Sequence, residues 1–213
     1  MIARRRMLAA GPAVLLAGAA NARVVIDVSA APPGPLPAEF VSARTGRGAP
    51  AEWRVQLDPS VPGGRVIAQT AADPVDYRYP LAISQTVRAV NVAVSVRFWA
   101  VSGQVDRAGG LAVRLIDANN YYVVRANALE DNVNFYRVIN GSRHEIKGAN
   151  VKVPSGVWHR LGLKADGDAF TISFNDAILF RATDRALSAP GQIALWTKAD
   201  SVTKFDAFTI DVT

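Results

Sequence analysis

The side chains best placed to do chemistry lie in NYYVVRANALEDNVNFYRV, residues 120–138, where two kinds of residue alternate. Tyr122, Val124 and Ala126 interleave with Tyr121, Arg125 and Asn127, and in the return limb Val133 and Phe135 interleave with Asn134 and Tyr136. Strands pair about 4.8 Å apart with alternate side chains on opposite faces. A hairpin here would therefore gather a guanidinium, two amides and a phenol ring on one side. That is a surface for sugars: Asn and Arg form paired hydrogen bonds with hydroxyls, while aromatic rings cover the C–H faces of the sugar at little entropic cost. By the same alternation Arg97 and Trp99, Arg114, and Trp196 with Lys198 extend the patch, provided that their strands neighbour the hairpin. Arg137 falls on the Phe135 face, and a bulge within 133–139 would exchange the two assignments. Arg and Asn are also the ordinary covering of a sheet's wet face, with no ligand implied.

Other chemistries have less to work with. A glycosidase pair of the Glu-x-Asp-x-x-Glu kind, with both carboxyls on one strand face, does not occur in the sequence. Glu130 and Asp131 are adjacent, would point apart on a strand, and read as a solvated hairpin loop. With two histidines, His144 and His159, and no cysteine, a His/Cys metal cluster has too few ligands, and both histidines read as structural. No Gly-x-Ser-x-Gly elbow is present, and Ser102 reads as a turn residue. No cofactor is expected. If the chain ends bring Asp27, Asp200 and Asp206 together, those are the acids that would hold a structural calcium ion, although no EF-hand-like loop is present.

The elements that must position these groups are strands. After Phe40, short runs rich in Val, Ile, Phe, Tyr and Trp recur about every ten residues between Gly, Asp, Asn and Pro, and no helical period competes. Twelve strands are expected: 53–57, 65–69, 90–100, 110–116, 121–126, 133–139, 143–146, 157–165, 169–174, 178–182, 193–197 and 205–212. Asn140-Gly141, Asp166-Gly167 and Asn175-Asp176 supply the positive φ that tight hairpins need. So many strands cannot stay one open sheet, because twist and exposed edges would cost too much. The expected fold class is all-β, two antiparallel sheets packed as a sandwich.

The opening MIARRRMLAAGPAVLLAGAANA has a basic start, a short apolar stretch and small residues at Ala20 and Ala22, as a secretory signal does. Arg4, Arg5 and Arg6 give it a loose twin-arginine character. Gly11, Pro12 and Gly18 break the apolar stretch, which is shorter than the roughly 20 residues a spanning helix needs. The expected organisation is a signal at 1–22, a Pro/Ala-rich linker or wrapping edge at 23–39, and one sandwich domain at 40–213. Its expected location is periplasmic or secreted, with no membrane anchor once the signal is removed. No cysteine means no disulfide, so burial alone must stabilise the exported fold. The 24 Lys and Arg against 18 Asp and Glu give +6, and setting aside the three signal arginines leaves +3. Charges of both signs are scattered, which argues against a nucleic-acid partner.

Three stretches carry a family resemblance: VSGQVDRAGGLAVRLIDANNYYVVRANALEDNVNFYRVINGSR, GVWHRLGLKADGDAFTISFNDAILFRATD and GQIALWTKADSVTKFDAFTI. Over about residues 40–213 the chain resembles bacterial concanavalin A-like jelly-roll domains of the 3-keto-disaccharide hydrolase-like or laminin G-like kind. The resemblance implies a jelly-roll sandwich with one curved sheet. Similar proteins often read two acids in succession where this chain has Asp206-Ala207; a calcium ion held by the second acid would lack that ligand here. Three functions are expected in turn. The first is binding of a saccharide or glycoconjugate on the curved sheet. The second is a hydrolase or lyase acting on a 3-keto-disaccharide or glycoside, with Asp117 or Asp131 recruited from loops. The third is a structural or protein-binding module of the envelope.

Overall fold

The computed structural model describes residues 22–213. All of the expected signal segment but its last residue lies outside them. In chain order the strands are β1 (Ala22–Ile26), β2 (Gly34–Pro35), β3 (Phe40–Gly46), β4 (Trp53–Leu57), β5 (Arg65–Gln69), β6 (Arg78–Ala89), β7 (Val92–Ser102) and β8 (Ala108–Asp117). They continue as β9 (Asn120–Asn127), β10 (Asn132–Ile139), β11 (Ser142–Asn150), β12 (Trp158–Asp166), β13 (Ala169–Phe174), β14 (Ala177–Thr183), β15 (Gly191–Trp196) and β16 (Val202–Val212). No helix among the described residues is long and apolar enough to cross a membrane.

Two antiparallel sheets form. One has nine strands in the order β14-β13-β12-β7-β16-β5-β4-β2, with β1 also against β16. The other has seven, β11-β10-β9-β8-β15-β6-β3. Period-two sorting is cleanest on β7, where Val92, Val94, Val96, Phe98 and Ala100 are buried between the sheets and Ala93, Ser95, Arg97 and Trp99 face out. Their inner partners on the seven-stranded sheet include Leu111, Val113, Tyr122, Val124, Phe135, Ile193 and Leu195. Asn140-Gly141 and Asn175-Asp176 turn their hairpins with positive φ at both residues, as their chemistry requires.

Four strands have no counterpart in the expected set, β1 and β2 in the segment read as a linker or wrapping edge, and β3 and β6 in the domain itself. Both β3 and β6 belong to the seven-stranded sheet, and β6 lies inside it between β15 and β3. Pro80 and the polar run Ser84-Gln85-Thr86 disguise β6 as a loop. Upstream, β1 pairs with residues 208–212 of β16, so part of the 23–39 segment is an edge of the domain.

The outer face of the seven-stranded sheet is not an open wall. Tyr79, Leu81, Ile83, Ala112, Leu115, Tyr121, Val123, Tyr136, Val138, Ala194 and Trp196 point away from the sandwich, yet form a second buried cluster. The cause is curvature. On a flat sheet β3 and β9 would stand about 19 Å apart, four strand spacings, yet the Thr45 hydroxyl lies 2.7 Å from the Tyr121 hydroxyl with β8, β15 and β6 between their strands. The sheet therefore curls until its outer side chains touch one another. Gly110 permits this, because a Cβ there would stand 2.7 Å from the Val124 carbonyl oxygen and 3.1 Å from the Trp196 ring.

Candidate functional site

Pairing fixes which predicted side chains meet. Arg125 lies opposite Asn134, Val123 opposite Tyr136 and Asn127 opposite Asn132, so all the polar members of the hairpin share the outer face. On the other side Gly110 joins Arg125 to Trp196 in one cross-strand row. The irregularity between Phe135 and Tyr136 affects only the pairing with β11, and the faces are not exchanged. Arg137 sits with Phe135 on the inner face, at its edge, where it pairs with Asp184 at 2.6 Å.

Arg125 is the hub. Its guanidinium donates to Glu130 at 2.6 Å and Asn132 at 2.8 Å, and lies 3.7 Å from the Asp106 carboxylate. Lys198, just past β15, binds the same Asp106 at 2.9 Å and reaches Asp76 at 2.5 Å. Asn127 donates to Asp106 at 3.1 Å and accepts the Leu129 amide, so it shapes the 127–131 loop as well as the cluster. Burial pushes the Asp106 carboxyl above the ordinary aspartate range, while Arg125 and Lys198 pull it back. Asp106 is thus the shared counter-ion of two cations.

Beside this cluster the Tyr136 ring lies between two guanidiniums, Arg125 at 5.7 Å and Arg143 at 4.4 Å from its centroid. Arg143 also covers Tyr79 and Trp196, and so ties the edge strand β11 to the far side of the curled sheet. Asn134 donates to the Tyr136 hydroxyl and to Glu145, both at 3.0 Å, and Gly148 opposite leaves it room. Arg125 Nε and Arg143 NH1 are buried without a hydrogen-bond partner among the described residues.

The other predicted residues go elsewhere. Trp196 is on the right face but fully buried, stacked on Tyr79 at 5.4 Å and donating to the Tyr121 hydroxyl, so its ring is wall rather than contact surface. Arg97 and Trp99 stand on the outer face of the opposite sheet, where Arg97 covers Trp158 and pairs with Asp206. Arg114 leaves the face altogether: a bulge with φ +49° turns it toward the Val90, Gly167 and Leu187 carbonyls at the loop end away from Asp106. Its alternation failed because one extra residue in β8 reverses the sense of every side chain beyond it.

The remaining candidates have structural work. Asp117 caps the Asn119 amide and binds Asn120, and Asp131 binds Lys152 and the Val153 amide. Buried His159 is held between Phe98 and Phe174 by Pro154 and Asn175, whereas His144 is exposed. Asp27 caps Ser29, Asp206 pairs with Arg97, and Asp200 accepts the amides of Gln104, Val105 and Asp106; Asp27 and Asp206 line one cleft, and Asp200 is not part of it. No group of three or more metal-ligating side chains occurs among the described residues.

Sequence reasoning missed Asp106, Asp76, Asn132, Arg143 and Glu145, and set Glu130 aside as a solvated loop acid. Arg143 and Glu145 were legible as alternate residues of β11, directly after the Asn-Gly turn. Asp106 carried no local signal, since only the loop fastened by Asp200 brings it under Arg125.

These fastenings predict acid lability. Burial alone would raise Asp200, but the amide donors outweigh it and hold the carboxyl below the ordinary range; in Asp184 the Tyr122 hydroxyl, the Ala186 amide and Arg137 likewise outweigh burial. A carboxyl lowered in the folded state stabilises above the unfolded value of about 3.9 and loses that contribution as pH falls through its folded value. Asp106, being raised, has the opposite sign. Urea midpoints should therefore hold from pH 7 to 5 and fall below pH about 4, with a shallower fall in Asp200→Asn. A midpoint unchanged to pH 3 would contradict the assignment.

No known family model matches the chain, and no curated protein matches it in sequence. Solved structures do. The chain is similar to the carbohydrate-binding module CBM66 from Bacillus subtilis, with TM-score 0.64 and 21% identity over 80% of this chain and 94% of that one. It is also similar to a Bacillus subtilis protein of unknown function with a galectin-like fold, with TM-score 0.55 and 11% identity over 76% and 87%. The β-glucanase of Bacillus licheniformis gives TM-score 0.55 and 11% identity over 84% and 94%. At these identities the likeness is one of fold, and the fold is the concanavalin- and galectin-like jelly roll.

Proposed function

We propose that this chain is an exported, periplasmic or secreted domain that binds a carbohydrate at the mouth of its curled seven-stranded sheet. The observation that carries the reading is the buried Arg125, Asp106 and Lys198 cluster, ringed by Glu130, Asn132 and Asn134, on a sheet whose fold neighbours include a carbohydrate-binding module. Each sugar hydroxyl both donates and accepts. A face mixing carboxylate with guanidinium and amide can answer both at once.

Tyr77, more than half exposed and next in the chain to Asp76, would offer a sugar the face of its ring at the rim. Trp196, Tyr79 and Tyr121 fill the sheet behind the mouth, and the contact from Thr45 to Tyr121 closes it off. A face closed off behind in this way suits the end of a saccharide chain better than a chain running through.

Calorimetric titration with mono-, di- and longer oligosaccharides, neutral and acidic, tests this. Affinity is expected to stop rising beyond a disaccharide. Glu130→Ala, at a half-exposed position, should weaken it about tenfold, the worth of one charge-assisted hydrogen bond, with a smaller loss of stability than a change at Arg125 itself, because Asn132 still accepts from the guanidinium and Asp106 still faces it. Affinity that keeps climbing with length, or that ignores Glu130→Ala, overturns the reading.

A further inference from the structure

The nine-stranded sheet has a slot in it. Along one side β16 pairs with β5 as far as Phe205 and with β1 from Phe208 onward. Between them Asp206 and Ala207 have no partner on that side, and Ala207 takes φ +50° in the bulge. The break opens a cleft of about 350 Å³, at the small end of the range for ligand sites.

Its floor belongs to the main core. Ile67, Leu195, Phe205 and Phe208 line it, each no more than 3% exposed, with Leu195 reaching across from the other sheet. Its walls carry three guanidiniums, Arg65, Arg97 and Arg160. Two are already compensated, Arg97 by Asp206 at 3.1 Å and Arg160 by Asp176 at 3.4 Å. Arg65 is not. It donates to the Ser29 carbonyl, its Nε is buried without a partner, and no carboxylate pairs with it among the described residues. Asp27, the other acid of the cleft, accepts the Ser29 amide.

We propose that this slot is a second binding site, separate from the saccharide mouth, for a small amphipathic acid: a carboxylate on a short apolar body. The carboxylate would compensate Arg65 with Arg160 alongside, and the apolar part would cover Ile67, Phe205 and Phe208. A guanidinium prefers a carboxylate because two parallel hydrogen bonds form at once. An apolar floor prefers a chain to water. Neither alone explains a charged wall over a core-lined floor.

Octanoate is the probe, with acetate as the charge-only and octanol as the chain-only control. Amide shifts followed by NMR on the full chain should saturate with octanoate around Arg65, Phe205, Ala207 and Phe208, and both controls should bind at least tenfold more weakly. Arg65→Gln should weaken octanoate about tenfold. Arg160→Gln, at an exposed position that the fold tolerates, should weaken it less but measurably, and Glu130→Ala should leave it unchanged. Shifts scattered over the surface, octanoate matched by either control, or insensitivity to both arginine changes would overturn the proposal.

Discussion

Replacing Arg125 by Met is expected to cost about 3 kcal/mol of stability, the lower end of what removing one partner from a buried ion pair costs. The Arg125 side chain is 2% exposed and that of Asp106 is fully buried, so the charge left behind cannot reach water. Two features hold the loss to the lower end. Lys198 stays within 2.9 Å of Asp106, and Glu130, at 45% exposure, can be hydrated when its partner goes. Asp106→Asn alone should also destabilise, because it leaves two cations with one fewer acceptor. The double change should lose less than the two single losses combined, since each removes the other's cause. Urea denaturation of the four proteins measures the coupling. Additive losses, or a single loss below 1 kcal/mol, would mean that the cluster is not a unit. Binding at the mouth should vanish in Arg125→Met, with Glu130→Ala as the comparison that weakens binding at a smaller loss of stability.

The face that holds this cluster was readable because a strand sorts its residues by parity. Val124, Ala126, Val133 and Phe135 go inward, and Arg125, Asn127, Asn134 and Tyr136 must then go outward together. Parity says nothing about curvature. The sequence of β9 does not reveal that its outer Tyr121 meets Thr45 four strand positions away, so Trp196 and Tyr136 read as exposed rings although the curl buries them. Nor does parity survive a bulge, which is why Arg114 was misplaced while Arg125, on an unbroken strand, was not. Asp106 and Glu130 escaped for a third reason: they come from loops, where position depends on what fastens the loop. The fastening acid Asp200 is 94 residues from Asp106 in the chain. Sequence distance of that kind leaves no local pattern. The two-sheet antiparallel sandwich was legible because it needs only many short strands, hairpin chemistry and alternation, whereas the jelly roll was implied by the family resemblance.

Arg114→Met is expected to lower stability by about 3 kcal/mol while leaving saccharide affinity unchanged. The guanidinium donates to the carbonyls of Val90, Leu187 and Gly167, joining three loops over Phe170. An orphaned buried carbonyl costs about 1–3 kcal/mol; the loop end can admit water to some of the three, which keeps the total near the cost of one or two. Arg78 is its counterpart at the other end, fully buried and donating to the carbonyls of Ala49, Pro50 and Ala199. Ala199 follows Lys198 directly in the chain. Arg78→Met should therefore lose comparable stability and also weaken binding, because the backbone that aims Lys198 at Asp106 comes loose. The two changes remove the same chemistry from opposite ends, so stability alone cannot separate them and affinity must. Titration of the folded fraction of each variant decides. Equal effects on affinity would mean that the mouth senses global stability, whereas weakening by Arg114→Met alone would return Arg114 to the ligand surface and remove the mouth from the Asp106 end.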